Sequence, residues 1–209
     1  MLRWHAGRAK IQLKLAIQRA RMLQQKKESL AKRGRYEIAE LAQHGKWESA
    51  RVKTESLIMD DVHVELLELL ELYTETLYAR FALLDTASTE PDAAVLEAVL
   101  AILYAGHRTE LPELTTLRDM LIVRYGMKLA TCAEENEGDC VSQRVTKKVE
   151  YKMPALALVD AYLTEICKTY GVCMPGAPPQ ELPVEAAPST PTSQSEWDAL
   201  VGRFATLKR

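Results

Sequence analysis

Apolar residues in the first third of the chain recur at helical spacing over unusually long stretches. Leu13, Ile17, Ala20 and Leu23, then Leu30, Ile38 and Leu41, mark one face between about Arg8 and His44, a stretch without proline and with a single glycine, Gly34. At about 1.5 Å per residue such a helix is about 55 Å long. Gly34 costs it about 1 kcal/mol relative to alanine, which a packed helix tolerates. His44-Gly45-Lys46 reads as a tight break, with glycine free to take a positive φ. A second stripe runs from about Trp47 to Leu84 through Val52, Met59, Leu66, Leu70, Tyr73, Leu77 and Leu84, widened by Ile58, Val62, Leu69 and Leu72. Two long amphipathic helices joined by a short break cannot bury their stripes alone, so the pattern predicts an antiparallel hairpin.

Three shorter helices are predicted next, each with proline at its start and most with glycine at its end, the polarity that helix ends favour. Pro91 opens the first, with Ala94 to Tyr104 as its apolar body and Gly106 as its stop. Pro112 opens the second, which reaches at least Tyr125, where Gly126 ends or interrupts it. Pro154 opens the third, which ends at Tyr170-Gly171. The polar stretch Glu134 to Asp139 reads as a mobile acidic loop. The fold class expected is all-α, with residues 1–173 as the helical core.

Texture changes at Met174. Six of the nine prolines lie between Pro175 and Pro191, mixed with Ser, Thr and Ala, so residues 174–194 read as an extended, disordered linker. Order returns in residues 195–209. Ser195 with Asp198 is a capping-box variant, acids lead and bases close, and Trp197, Leu200, Phe204 and Leu207 share one helical face. A short amphipathic helix on such a tether reads as a groove-binding ligand; packing back on its own domain is the alternative. One buried anchor yields about 1.5–3 kcal/mol, while association costs about 4–15 kcal/mol. A single copy therefore binds weakly, and many copies on a polymer bind well.

Charge changes the picture further. The first 35 residues hold eleven Lys/Arg against one acid, Glu28, while the other 174 hold 16 bases and 28 acids, so the formal net charge of −2 conceals a strongly dipolar chain. Lys10, Lys14, Arg19, Arg21, Lys26 and Arg33 are the candidate contact residues on this basic helix. Anionic lipid repays each well-placed Lys or Arg with about 1 kcal/mol. An acidic helix of a neighbouring copy, such as the face of Glu65, Glu68, Glu71 and Glu75, is an equal candidate. Nucleic acid is a rival, making the chain a basic-surface helical module, but no zinc-finger, RNP-type or homeodomain pattern accompanies the bases.

Little points to an enzyme. The chain has no G-x-x-x-x-G-K-[ST], G-x-S-x-G, G-x-G-x-x-G or H-E-x-x-H. His5, His44, His63 and His107 are far apart and read as surface or capping residues, and Asp60-Asp61 near His63 as a solvated face. Cys132, Cys140, Cys167 and Cys173 lack zinc-ligand spacing and read as reduced thiols of a cytosolic protein. No catalytic residue, metal site or cofactor is expected. The opening residues lack a secretory apolar region, and no uncharged stretch is long enough to span a membrane, so any membrane role is peripheral.

A family resemblance runs through these residues. KLAIQRARMLQQKKESLAKRGRYEIAELAQHGKWESARVKTESLI, LELLELYTETLYARFALLD, EAVLAILYAGHR, PELTTLRDMLIVRYG, AEEN and the final P-x-x-x-LV-x-x-YLTEI resemble the increased-sodium-tolerance (Ist) family, ESCRT-III-related regulators of the vacuolar-sorting AAA ATPase. The tail resembles that family's MIT-interacting motif: Leu200, Arg203, Phe204, Leu207 and Lys208 fill it, while Trp197 stands at its acidic position between Glu196 and Asp198. Ala105-Gly106-His107-Arg108 stands where the family often has Ala-Ala-Pro-Arg. The resemblance implies an ESCRT-III-like fold, a long antiparallel hairpin with three shorter packed helices, the last of which docks on the hairpin and clasps a closed state. It implies self-assembly on anionic, endosomal membranes during multivesicular-body sorting, cytokinesis and scission. The partners it implies are the MIT domain of the AAA ATPase and an ESCRT-III subunit of the charged multivesicular body protein type.

Overall fold

A computed structural model describes residues 4–172, apart from 87 and 89. The predicted linker at 174–194 and terminal helix at 195–209 lie outside the described residues. Eight α-helices and one 3-10 turn make up the described part, with no strand among the described residues.

The long helices form as the pattern requires. α1 spans Ala6–Gln43, with His5 as N-cap and His44 as C-cap. The His44 ring Nδ1 lies 2.7 Å from the Glu40 carbonyl oxygen, and Gly45, at φ 73°, turns the chain. α2 spans Trp47–Ala79 and runs back along α1. The antiparallel register is read from the ion pairs, since Arg21 meets Glu71, Lys27 meets Asp60 and Lys53 meets Glu37, converging on the turn. The continuation expected to Leu84 is broken at Arg80, the cap of α2, and α3 is a separate turn, Phe81–Leu84. The Arg80 guanidinium instead reaches the Ala94 carbonyl oxygen.

The seam is narrower than the apolar count suggested. Leu30, Val52 and Leu72, assigned to the stripes above, are 55%, 66% and 51% exposed. Alanines carry much of the contact instead, with Ala9, Ala16, Ala20, Ala31, Ala39, Ala42 and Ala50 all buried. Small side chains let the helix axes approach, and Leu30, next to buried Ala31, falls outside the contact.

The shorter helices outnumber the three expected. α4 (Ala93–Ala105) is capped by Asp92, whose carboxylate accepts from the Ala94 amide at 2.8 Å, and Gly106 ends it. Every residue from Ala98 to Ala105 is buried, so this helix is the centre of the larger core and is apolar all round beyond Glu97. α5 (Pro112–Tyr125) starts on its proline, and Gly126, at φ 91°, ends it outright. α6 (Met127–Glu135) and α7 (Gln143–Val149) follow, and α8 spans Leu156–Tyr170, closed by Gly171 at φ 69°.

The segment expected as a mobile acidic loop is structured. Glu134 and Glu135 complete α6, Asn136 caps it in the left-handed region, and Glu137–Asp139 form the 3-10 turn. Arg118 on α5 ties this segment down by binding Glu134 while donating from Nε to the Leu103 carbonyl at 3.1 Å.

Two cores result. The larger joins the N-terminal half of α1 and the C-terminal half of α2 to α4, α5, α6 and α7. The smaller lies at the turn end of the hairpin, where Leu163, Ile166 and Cys167 of α8 pack on Ala31, Ile38, Ala39, Ala42, Ala50 and Leu57.

Candidate assembly surfaces

The outward face of α1 combines apolar and cationic residues. Ile11, Leu15 and Met22 are 62%, 43% and 59% exposed. At about 100° per residue they fall within one narrow sector, flanked by exposed Arg8, Lys26 and Arg33. Arg8, Lys26 and Lys32 meet no acid among the described residues. A helix that shows apolar side chains between exposed cations suits an anionic interface.

The six cations singled out in the sequence divide into distinct settings. The Lys10 ammonium lies over the Tyr78 and Phe81 rings at 5.9 and 5.7 Å, and Lys14 over Tyr78 at 5.5 Å. Arg19 reaches Glu113 of α5 at 3.2 Å, and Arg33 reaches Glu37, one turn on, at 2.8 Å. Arg21 binds Glu71 at 2.5 Å and also Glu75, and the hydrogen bond to Glu71 raises its pKa above the ordinary value. Lys26 is exposed. Glu71 and Glu75, considered above as a neighbour's complement, are thus engaged within the chain, and Glu65 is held by Lys148 of α7. Leu200, Arg203, Phe204, Leu207 and Lys208 lie outside the described residues.

The flank of the hairpin carries a charge cluster that sequence reading did not single out. Lys27 bonds Asp60 at 3.0 Å and Glu110, in the α4–α5 connection, at 3.2 Å. Burial pulls the Lys27 ammonium down, but these two hydrogen bonds outweigh it and raise its pKa. His63, expected at the surface, joins this cluster. Its Nε2 is buried without a hydrogen-bond partner, 3.9 Å from Glu110. Burial, then the nearby Lys27 charge, lowers its pKa.

Polar contacts reinforce the seat of α8. Arg51 Nε donates to Asp160 Oδ1 at 2.8 Å, and the Tyr162 hydroxyl to Asp61 Oδ2 at 3.4 Å. Asp61 also pairs with Arg35 at 3.6 Å. Of Asp60 and Asp61, read above as a solvated face, Asp60 is exposed while pairing with Lys27, and Asp61 is half-buried and faces α8. The rings of Tyr36 and Tyr170 meet edge to face at 6.1 Å. None of these contacts was recoverable from spacing alone, because each depends on the register of the hairpin.

A cleft of about 330 Å³ opens between α4, α6 and α7. Arg108 stacks 3.9 Å above the Tyr104 ring, whose hydroxyl donates to Glu150 at 3.0 Å; Arg108 also donates to the Glu134 carbonyl at 3.4 Å, and Glu134, Glu135 and Asn136 line the same cleft. Among the described residues no group of three or more His, Cys, Asp and Glu is placed to hold a metal ion, and no helix is long and apolar enough to cross a membrane.

Known proteins share this arrangement. The crystal structure of the S. cerevisiae Ist1 N-terminal domain in complex with a Did2 MIM motif superposes with a TM-score of 0.74 at 34% identity, over 84% of this chain and 96% of that one. Vacuolar protein sorting-associated protein IST1 of S. cerevisiae is 37% identical over 168 residues, which are 77% of this chain and 56% of that protein. An IST1-like protein of Dictyostelium discoideum is 31% identical over 181 residues, 83% of this chain and 47% of its own length. The chain thus spans about half the length of these two relatives. Vacuolar protein sorting-associated protein ist1 of Schizosaccharomyces pombe is 30% identical over 204 residues, 97% of this chain and 72% of that protein. The Ist1 family model, described as a regulator of Vps4 activity in the MVB pathway, matches residues 10–173. With the hairpin and its docked α8 in place, that match across the whole helical core establishes that the chain belongs to the Ist1 family.

Proposed function

We propose that the chain is a non-enzymatic, ESCRT-III-like assembly protein that binds and regulates the Vps4-type AAA ATPase of the multivesicular-body pathway, acting peripherally at endosomal membranes. The observation that carries this reading is the family match over residues 10–173, in a family described as regulating Vps4 activity. Residues 195–209 are the docking segment: Leu200, Phe204 and Leu207 enter the groove of an MIT domain, with Arg203 and Lys208 beside them. An ESCRT-III subunit bearing a Did2-type MIM is the second partner, supported by the complex in which the similar yeast domain was crystallised. The outer face of α1 meets anionic lipid or a neighbouring copy, with Ile11, Leu15 and Met22 as its apolar centre and Arg8, Lys26 and Arg33 as its charge.

Fluorescence anisotropy of a labelled 195–209 peptide titrated with a Vps4 MIT domain tests the docking role. Weak but saturable binding is expected, and Leu207→Asp should abolish it. Equal affinity of the two peptides would overturn the assignment.

A further inference from the structure

Cys132 lies in α6 and Cys140 directly follows the 3-10 turn. Their sulfurs stand 3.8 Å apart, and the Cys140 thiol lies 3.4 Å from the Cys132 carbonyl oxygen, to which it donates. Both are free thiols and only half buried, whereas Cys167 is buried in the smaller core. The intervening loop is shaped to bring them together. Asn136, Gly138 and Asp139 all adopt left-handed backbone, at φ 50°, 65° and 56°. Two of the three carry a side chain, which that region seldom accommodates. The Asn136 carboxamide oxygen accepts from the Val141 amide at 2.9 Å, which fixes the return of the chain past α6.

We propose that Cys132 and Cys140 are a redox modification site, oxidised by a hydroperoxide to an intrachain disulfide that fixes one wall of the neighbouring cleft. The Cys132 sulfur, having released its proton, attacks the terminal peroxide oxygen; the O–O bond breaks to give Cys132 sulfenic acid, and the leaving alkoxide or hydroxide takes up that proton as alcohol or water. Cys140 sulfur then attacks the sulfenic sulfur. The S–S bond forms, the S–O bond breaks, and the oxygen leaves as water with the Cys140 proton. The two thiols lose two electrons and two protons, and one hydroperoxide is reduced.

Geometry gives Cys140 the second role: its thiol donates to the Cys132 carbonyl oxygen and so keeps its proton. Burial first, then the hydrogen bond and charge of Cys132, push that thiol up to about 11. A disulfide needs about 2.05 Å between sulfurs, so closure asks for a movement of under about 2 Å. Glu134, Glu135 and Asn136, which line the cleft, lie inside the loop so closed, and Arg108 donates to the Glu134 carbonyl.

Treating the full chain with hydrogen peroxide, blocking residual thiols with iodoacetamide and mapping the digest by mass spectrometry tests the site. A Cys132–Cys140 linked peptide, two hydrogens lighter than its reduced form and released by dithiothreitol, is expected, with Cys167 still free. Cys132→Ser and Cys140→Ser should each abolish the link. The oxidised wild type should melt higher, by on the order of 5 °C, and lose that shift on reduction. Sulfinic or sulfonic acid at either position without a link, a link between two chains or to another cysteine, or unreacted thiols under excess peroxide would each overturn the proposal.

Discussion

Arg51 on α2 and Asp160 on α8 are 109 residues apart in sequence and joined by one hydrogen-bonded ion pair of 2.8 Å. The pair raises the Arg51 pKa through that hydrogen bond and the Asp160 charge, and it joins α2 to the helix whose Leu163, Ile166 and Cys167 pack in the smaller core. It therefore orients a helix that hydrophobic burial holds.

Reversing one charge should loosen α8 without unfolding the hairpin. In hydrogen exchange followed by mass spectrometry, Arg51→Glu is expected to speed exchange of the α8 amides about two- to fivefold, in line with a partly exposed pair. Arg51→Glu with Asp160→Arg should restore protection. If the double variant exchanges as fast as the single one, the pair does not orient α8.

Acid should weaken the fold through His63. Its folded pKa is lowered, by burial first and then by Lys27, with Glu110 and Asp60 opposing. The unfolded chain therefore takes up the proton at higher pH than the folded one. This contribution is complete above about pH 6.5, and stability is lost as pH falls through that value toward the folded pKa. Melting temperatures measured between pH 7.5 and 5 should decline, and His63→Gln should make the decline shallower. His107, whose pKa burial and then Arg118 and Arg108 also lower, supplies part of the remaining slope. Superimposable pH profiles for the two proteins would exclude His63 as a source.

Two glycines should respond to alanine with opposite signs. A Cβ on Gly34, in the middle of α1, meets Leu57 Cδ1 at 3.7 Å, an ordinary contact. Gly34→Ala is expected to stabilise by about 0.5–1 kcal/mol. A Cβ on Gly106 would lie 2.6 Å from the Ile102 carbonyl oxygen and 3.1 Å from that of Leu114. Gly106→Ala should destabilise by about 1–3 kcal/mol. Urea titrations of both variants check the signs.

Much of this architecture is legible in the sequence because the long helices announce themselves twice, by periodicity and by punctuation. Gly45 separates α1 from α2, and Pro112, Gly126 and Gly171 fall at helix ends. α7 escaped notice because QRVTKKV offers few apolar positions and no terminal proline or glycine; it is held by tertiary contacts such as Val145 in the larger core and Lys148 on Glu65. The exposure of Leu30, Val52 and Leu72 is not legible because hydrophobicity alone does not tell which apolar positions face the partner helix. The basic face was visible as composition, but how its charge is spent was not. Arg21 turns to Glu71 and Glu75 while Lys26 stays exposed, a distinction that appears only once the antiparallel register is set.

The unequal division of buried material between the two ends of the hairpin gives the molecule a direction of weakness. The open end is built around α4, whose eight consecutive buried residues leave no surface along which to peel it away. The turn end rests on nine residues, four of them alanine, and α8 is the last helix among the described residues. Tension applied from the C-terminal side therefore meets the thinner core first. It strips α8 and bares the alanine seam while the α4 end still holds its shape.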